Sequence, residues 1–192
     1  GTQMVTKGLD FDNVYLVGIL DADMLLNRPD FRSYERSYQL MSQVSGRAGR
    51  QGKQGKVIVQ TGDPDHWVLQ LVGQHDYEQF YENEIIERKN YHYPPFYKLI
   101  SFTLKHENIH TLDTSSQYLA ELLKNVFKER VIGPEYPLIQ KIRNKFLKTI
   151  KLKIEKNAPD LKVKEKIKEI IDNFYADASH KKVRVVIDVD PL

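Results

Sequence analysis

Residue type, charge and spacing combine to imply chemistry most clearly at Gln43-Val44-Ser45-Gly46-Arg47-Ala48-Gly49-Arg50. On a helix, at about 100° per residue, Gln43, Arg47 and Arg50 (i, i+4, i+7) share one face. Two permanently charged, planar guanidiniums beside an amide make a fork suited to a polyphosphate. Gly46 and Gly49 carry no side chain, so a ligand or another backbone can approach closely there. The same spacing also fits a solvated, arginine-tipped helix C-terminus, where cations are favoured in any case. Spacing alone does not separate the two.

Other residues invite chemical readings that the sequence weakens. Gly49, Gly52 and Gly55 around Lys53 suggest a phosphate loop, but the position five before Gly52 is Arg47 and Gln54 follows Lys53, so the P-loop pattern fails. Asp21 and Asp23 could hold Mg²⁺ at a strand end, although capping of the next helix explains them as well. The six histidines show no paired ligand spacing and cysteine is absent, so no metal site is expected in this chain. Lysines recur at 148, 151, 153 and 156, and again at 162, 164, 166 and 168, with Lys141, Arg143 and Lys145 in a loop before them. Lys148, Lys151 and Lys153 on one strand are candidates for DNA phosphates; solvated strand faces carry lysine too.

The elements that must position these groups follow from periodicity. Residues 14–20 are almost continuously apolar and predict a strand buried on both faces, as in a parallel sheet. Residues 33–50, with Met41, Val44 and Ala48 on one stripe, predict an amphipathic helix. A second strand over 56–61 completes a parallel βαβ unit. Residues 65–90 predict two helices broken near 73–76, and their aromatic stripe reads as core rather than a base-stacking platform. Tyr93-Pro94-Pro95-Phe96 ends them, because proline has no N–H to continue a helix. Beyond it the order is strand 97–105, helix 111–130, short edge segment 131–134, strand 146–155, helix 159–175 and strand 182–189. That is the ferredoxin-like βαββαβ pattern. The expected class is therefore α/β followed by α+β, divided as 1–62, a helical connector 63–96, and 97–192.

Charge divides along the same line. Residues 1–96 carry ten Lys/Arg against thirteen Asp/Glu, and residues 97–192 carry nineteen against thirteen. The second part is thus expected to meet an anionic partner. With 41% apolar and 29% charged residues the composition is that of an ordinary globular protein, without a membrane-length apolar run.

Gly1-Thr2-Gln3-Met4 with Lys7-Gly8, followed by Gln43–Arg50, resembles motifs V and VI of superfamily 2 helicases. More narrowly, the chain resembles the PriA (primosomal protein N′) family of bacterial replication-restart helicases. Supporting marks are Leu20-Asp21-Ala22-Asp23, Pro29-Asp30-Phe31-Arg32, Asp76-Tyr77-Glu78, Tyr93-Pro94-Pro95-Phe96 and Ile187-Asp188-Val189-Asp190-Pro191.

The resemblance implies the end of a second RecA-like lobe followed by a C-terminal DNA- and partner-binding domain. It implies that Arg50 and Arg47 reach ATP phosphates, Arg50 as the finger, while Gln43 positions nucleotide or water and Gly46 and Gly49 line the site. Asp10 would brace the ATP side, and Thr2 and Lys7 would contact the DNA strand. It further implies ATP and Mg²⁺ in the full-length enzyme only, and zinc in a cysteine-rich region outside this chain. Implied partners are branched or single-stranded DNA, single-stranded DNA-binding protein (SSB) and primosome proteins, for a monomeric protein of the bacterial cytoplasm with no membrane association. The P-loop and the Asp-Glu-x-His box are missing from this sequence, so the resemblance predicts no ATPase here. Two alternatives remain open: a nucleic-acid or protein-docking module without motor activity, and a translocase that does not separate strands.

Overall fold

The computed structural model describes residues 14–48 and 55–191. The chain forms two compact units, Gly1–Glu87 and Arg88–Leu192.

In the first unit, β1 (Leu16–Ile19) and β2 (Lys56–Val59) pair in parallel, with Leu16 opposite Lys56 and Ile19 opposite Val59. Between them run α1 (Ala22–Leu26) and α2 (Ser33–Ser45), and after β2 come α3 (Trp67–Gln74) and α4 (Tyr77–Asn90). The core joins Ile19 to Leu26, Tyr38, Met41, Val68 and Phe80. The parallel strand–helix–strand expectation is met; burial of β1 on both faces is not. Ile19 is 8% exposed, but Leu16 is 54% and Leu20 78% exposed, because α2 and α3 cover one face and no other described strand flanks the pair.

A second difference lies at the end of α2. Periodicity carries the helix to Arg50, yet it stops at Ser45. The N–H of Arg47 donates to the Val44 carbonyl and that of Ala48 to the Ser45 carbonyl, both at 3.1 Å. These i→i−3 bonds are the tightened turn with which helices commonly close, and Gly46, a poor helix former, stands where the change occurs. The aromatic stripe divides as well. Trp67 stacks on Phe80 at 5.6 Å and Tyr38 on Phe80 at 4.3 Å, whereas Tyr77 and Tyr81 are over half exposed.

The second unit is one antiparallel sheet covered on one face. Its strands are β3 (Tyr97–His106), β4 (Val131–Glu135), β6 (Lys145–Glu155) and β7 (Arg184–Val189), in the order β4-β6-β3-β7, with the short β5 (Lys141–Ile142) added against β6. Ile100, Phe102 and Leu104 of β3 and Ile150, Leu152 and Ile154 of β6 alternate at period two and are all buried. They meet α5 (Ile109–Phe127) through Leu112, Leu119 and Leu123, and α6 (Asp160–Ala176) through Ile167, Ile170 and Phe174. Burying each such aliphatic side chain contributes about 1.5–3 kcal/mol. Asn108 starts α5 by accepting the Thr111 N–H at 3.0 Å, a side-chain cap.

One polar pair lies inside this core. Ser115 Oγ is 2.9 Å from His180 Nδ1, and the imidazole stacks on Phe174 and Tyr118. Asp177 lies 4.0 Å from the other ring nitrogen, so the three residue types match those of a nucleophilic triad. Ser115 has no exposed surface, however, and the bond serves to satisfy a buried hydroxyl.

Gly133 is held by geometry. Its φ is +97°, it lies in the register shift of β4 between Ile132 and Glu135, and a Cβ there would sit 2.8 Å from the Thr149 carbonyl oxygen. Both the backbone conformation and the contact exclude a side chain. Gly133→Ala is therefore expected to destabilise the second unit by about 2–3 kcal/mol, read as a lower urea midpoint by circular dichroism. An unchanged midpoint would show that β4 relaxes at no cost.

Candidate functional site

The Gln43–Arg50 motif lies partly within the described residues. Gln43 is exposed in the last turn of α2, Gly46 follows the helix, and Arg47 sits in the tightened turn. The helix ends before Arg47, which stands in the i→i−3 turn and not in the last α-helical turn with Gln43. Arg47 is half-buried and its Nε is shielded from solvent, so it is not a freely solvated tip. The fold places no demand for glycine at 46: the backbone is right-handed and an added Cβ would meet nothing closer than 3.5 Å. The turn surface is consequently open beside Arg47. Arg50, Gly49, Asp10, Thr2 and Lys7 lie outside the described residues.

The acidic pair after β1 has structural duties. Asp21 caps α1 by accepting the Met24 N–H at 3.1 Å. Asp23 accepts the Thr61 hydroxyl at 2.5 Å and the Gly62 N–H at 2.7 Å, tying the exit of β1 to that of β2. The Thr61 bond first, then the Gly62 bond, holds its carboxyl below the ordinary value. No cluster of three or more His, Cys, Asp or Glu residues arranged to hold a metal occurs among the described residues.

The three strand lysines are dispersed rather than pooled. Lys148 faces the helices, where its ammonium lies 2.7 Å from Asp113 and 4.6 Å from the Tyr136 ring centroid, with only 14% of the side chain exposed. The Lys148 contact, then the Tyr136 hydroxyl, lowers the pKa of Asp113. Lys151 pairs with Glu135 at 2.7 Å. Lys153 donates to the Tyr91 carbonyl at 2.6 Å and lies 3.7 Å over the Tyr93 ring. Burial chiefly, with the nearby Lys151 charge second, pushes the Lys153 pKa down. Lys153 thus fastens the Tyr-Pro-Pro-Phe segment to the sheet. Each lysine has a partner within its own unit, and Lys148 does not share a face with the other two.

Two features are not evident from composition. The first is an open cleft of about 560 Å³ between α6 and the sheet, floored by Ile100, Ile154, Ile167 and Ile187 and rimmed by Lys164 and Lys168. Val163, Ile167 and Ile171 at four-residue spacing are its available signal, although that spacing usually means core. The second is the β5–β6 hairpin, in a stretch whose sequence predicts a loop. Lys141 pairs with Phe146 and Ile142 with Lys145 around a two-residue turn, with Arg143 at φ 47° and Asn144 at φ 63°. Positive φ at both turn positions is what a type I′ hairpin requires, and Asn144 is its one conventional sign.

Similarity to known proteins runs the length of the chain. Residues 89–192 match the family described as the primosomal protein N C-terminal domain. Replication restart protein PriA of Bacillus subtilis is 39% identical over 193 residues, covering 100% of this chain and 24% of that protein. PriA of Synechocystis is 38% identical, again over 100% of the chain and 22% of that protein, and PriA of Treponema pallidum is 36% identical over 100% and 29%. The chain spans about a quarter of the length of these relatives. Taken with the mixed α/β first unit and the antiparallel second, these matches mean that the chain belongs to the PriA family and carries its primosomal protein N C-terminal domain.

Proposed function

We propose that this chain is the C-terminal part of an ATP-dependent DNA helicase that acts at stalled or branched replication forks and starts primosome assembly. The observation that carries the reading is the alignment of the whole chain, from the arginine motif to the final strand, with proteins named for replication restart. The first unit is then the end of a RecA-like lobe, and its parallel β1–β2 pair is the fragment of sheet that such a lobe would complete. The second unit, with strand order β4-β6-β3-β7 and two helices on one face, is ferredoxin-like and handles DNA and protein partners.

In this reading Arg47 and Arg50 approach ATP from the lobe opposite its phosphate-binding loop. A guanidinium at the γ-phosphate stabilises the charge that develops during transfer, and Gln43 orients the nucleotide or the attacking water. Thr2 and Lys7 hold the DNA backbone, and Asp10 links that contact to the nucleotide. Mg²⁺, which residues of this chain would not hold, would supply charge neutralisation at the ATP phosphates in the full-length protein. The chain supplies half of a nucleotide site, so the purified 192-residue chain should show no DNA-stimulated ATP turnover. In the full-length protein, Arg50→Ala should lower turnover by about 10³-fold or more while fork binding stays within about twofold. Turnover that survived the substitution would remove Arg50 from the finger role.

A second reading, protein docking by the C-terminal unit, is favoured by the apolar cleft beside α6. The occupant implied by the family resemblance is SSB, and an acidic segment of it would suit Lys164 and Lys168. Both lysines are exposed on α6, so Lys164→Glu with Lys168→Glu tests the cleft without disturbing the core. Anisotropy with labelled SSB should show binding weakened by about tenfold, near 1.4 kcal/mol. Equal affinity would exclude the cleft as the docking site.

A further inference from the structure

We infer that the β5–β6 hairpin is the nucleic-acid-contacting edge of the second unit, with Leu138, Ile139 and Ile142 set against an exposed base-pair face and Lys141, Arg143 and Lys145 on the flanking phosphates. The inference rests on the DNA-handling reading of this unit and moves the contact away from the strand lysines.

Three observations converge on it. First, every residue from 138 to 145 is exposed, and the three aliphatic side chains among them are 77%, 64% and 48% exposed. An exposed Leu-Ile pair in the bend that leads into β5, with a further exposed Ile on β5 itself, is more than scattered surface apolarity. Second, no acidic residue occurs between Glu135 and Glu155, so the cations of the hairpin have no local counter-charge. The acids Glu135 and Asp113 are already engaged: Glu135 by Lys151, and Asp113 by Lys148 and the Tyr136 hydroxyl. Arg143 and Lys145 have no acidic partner among the described residues, and Lys141 lies 4.6 Å over the Phe146 ring. Third, the hairpin is ordered. The Leu147 N–H donates to the Gln140 carbonyl at 2.8 Å, extending the ladder beyond the two-residue β5. A preorganised turn presents its side chains without the ordering cost that a flexible loop would incur.

Protection of a sheet edge, the usual reason for exposed lysine, fits poorly here. β5 is two residues long and offers almost no edge to protect, and a protective device would not carry three exposed aliphatic groups. A basic turn with exposed aliphatic side chains beside it matches DNA where a duplex ends in single strand. There a terminal base pair exposes an apolar face, phosphates lie to either side, and aliphatic wedges are a known way to engage an unstacked step. A duplex with no open end, each terminus closed by a hairpin loop, engages the cations alone.

The test uses the 192-residue chain and fluorescence anisotropy with a forked DNA and a duplex of equal length closed at both ends by hairpin loops, across a salt series. Lys141→Ala, Arg143→Ala and Lys145→Ala together should weaken binding to both DNAs by about tenfold or more. They should also flatten the log–log salt slope by about two to three, since each phosphate contact contributes about 0.9. Leu138→Ser with Ile139→Ser should weaken the forked DNA about fivefold, leave the closed duplex within about twofold and keep the salt slope. All these positions are exposed, and unchanged circular dichroism would confirm that the variants fold. If the unaltered chain binds DNA and both variants bind equally well, the hairpin inference falls and the DNA-handling reading stands. If the unaltered chain shows no salt-dependent binding, both fall. Hairpin-dependent binding to phosphatidylglycerol vesicles, with DNA binding unmoved, would overturn the inference in favour of a lipid surface.

Discussion

Strand β6 is paired on both sides, with β3 along most of its length and with β4 over part of it, and that constraint organises the second unit. With both edges used and one face covered by helices, every apolar residue at 150, 152 and 154 must point to the covered face. The side chains at 151 and 153 must then point away. Lysine suits those outward places, but at a distance of two residues like charges repel, and each needs an answer. Glu135 answers Lys151; the Tyr91 carbonyl and Tyr93 ring answer Lys153. Lys148 has the opposite parity. It falls at the rim of the covered face, where partial burial makes a counter-charge obligatory, and α5 supplies Asp113. What composition presents as a lysine-rich strand is, by parity, three separate fastenings: sheet to α5, β6 to β4, and sheet to the Tyr-Pro-Pro-Phe segment.

The same logic of local geometry redefines the arginine motif. A helix that ran to Arg50 would align Gln43, Arg47 and Arg50 as a rigid comb. The helix instead stops at Ser45 and tightens into i→i−3 bonds, which places Arg47 in a turn and leaves Gly46 exposed. The backbone of that turn is held by two i→i−3 hydrogen bonds, whereas a residue within the helix is held by the turns on either side of it.

Sequence patterning makes the second unit almost wholly legible, because strong period-two and period-3.6 signals coincide with burial. Ile100, Phe102 and Leu104, or Leu112, Leu119 and Leu123, leave no competing assignment. Legibility fails where structure depends on what lies beside an element rather than within it. The continuous apolar run of β1 implies two covered faces, but coverage is a property of neighbours, and Leu16 and Leu20 stand open. Periodicity overruns the end of α2 because Ala48 keeps the apolar stripe in phase after the hydrogen bonding has changed. The β5–β6 hairpin is hidden because Arg143 and Asn144 replace the glycine that usually announces such a turn. In the candidate site, Gln43 and the lysines can be chosen by type and spacing. The partners that engage Lys148, Lys151 and Lys153 come from residues 16 to 62 positions distant, and no spacing rule reaches them.

Charge neutralised inside a unit is committed before any ligand arrives. To meet a phosphate, Lys148 would leave Asp113 at a half-buried position, and Lys151 would leave Glu135, so each new contact would be offset by one lost. Cations at 141, 143 and 145 face no such exchange with an acid; Arg143 and Lys145 give up water, and Lys141 its place over the Phe146 ring. An exposed cation without a counter-charge is unfavourable to nothing in the fold and fully available to an anion, and its attraction falls with salt as counterions compete. The excess positive charge of residues 97–192 therefore counts for binding only where the fold leaves it unanswered. In β6 and its neighbours that condition is met at the turn and not along the strand.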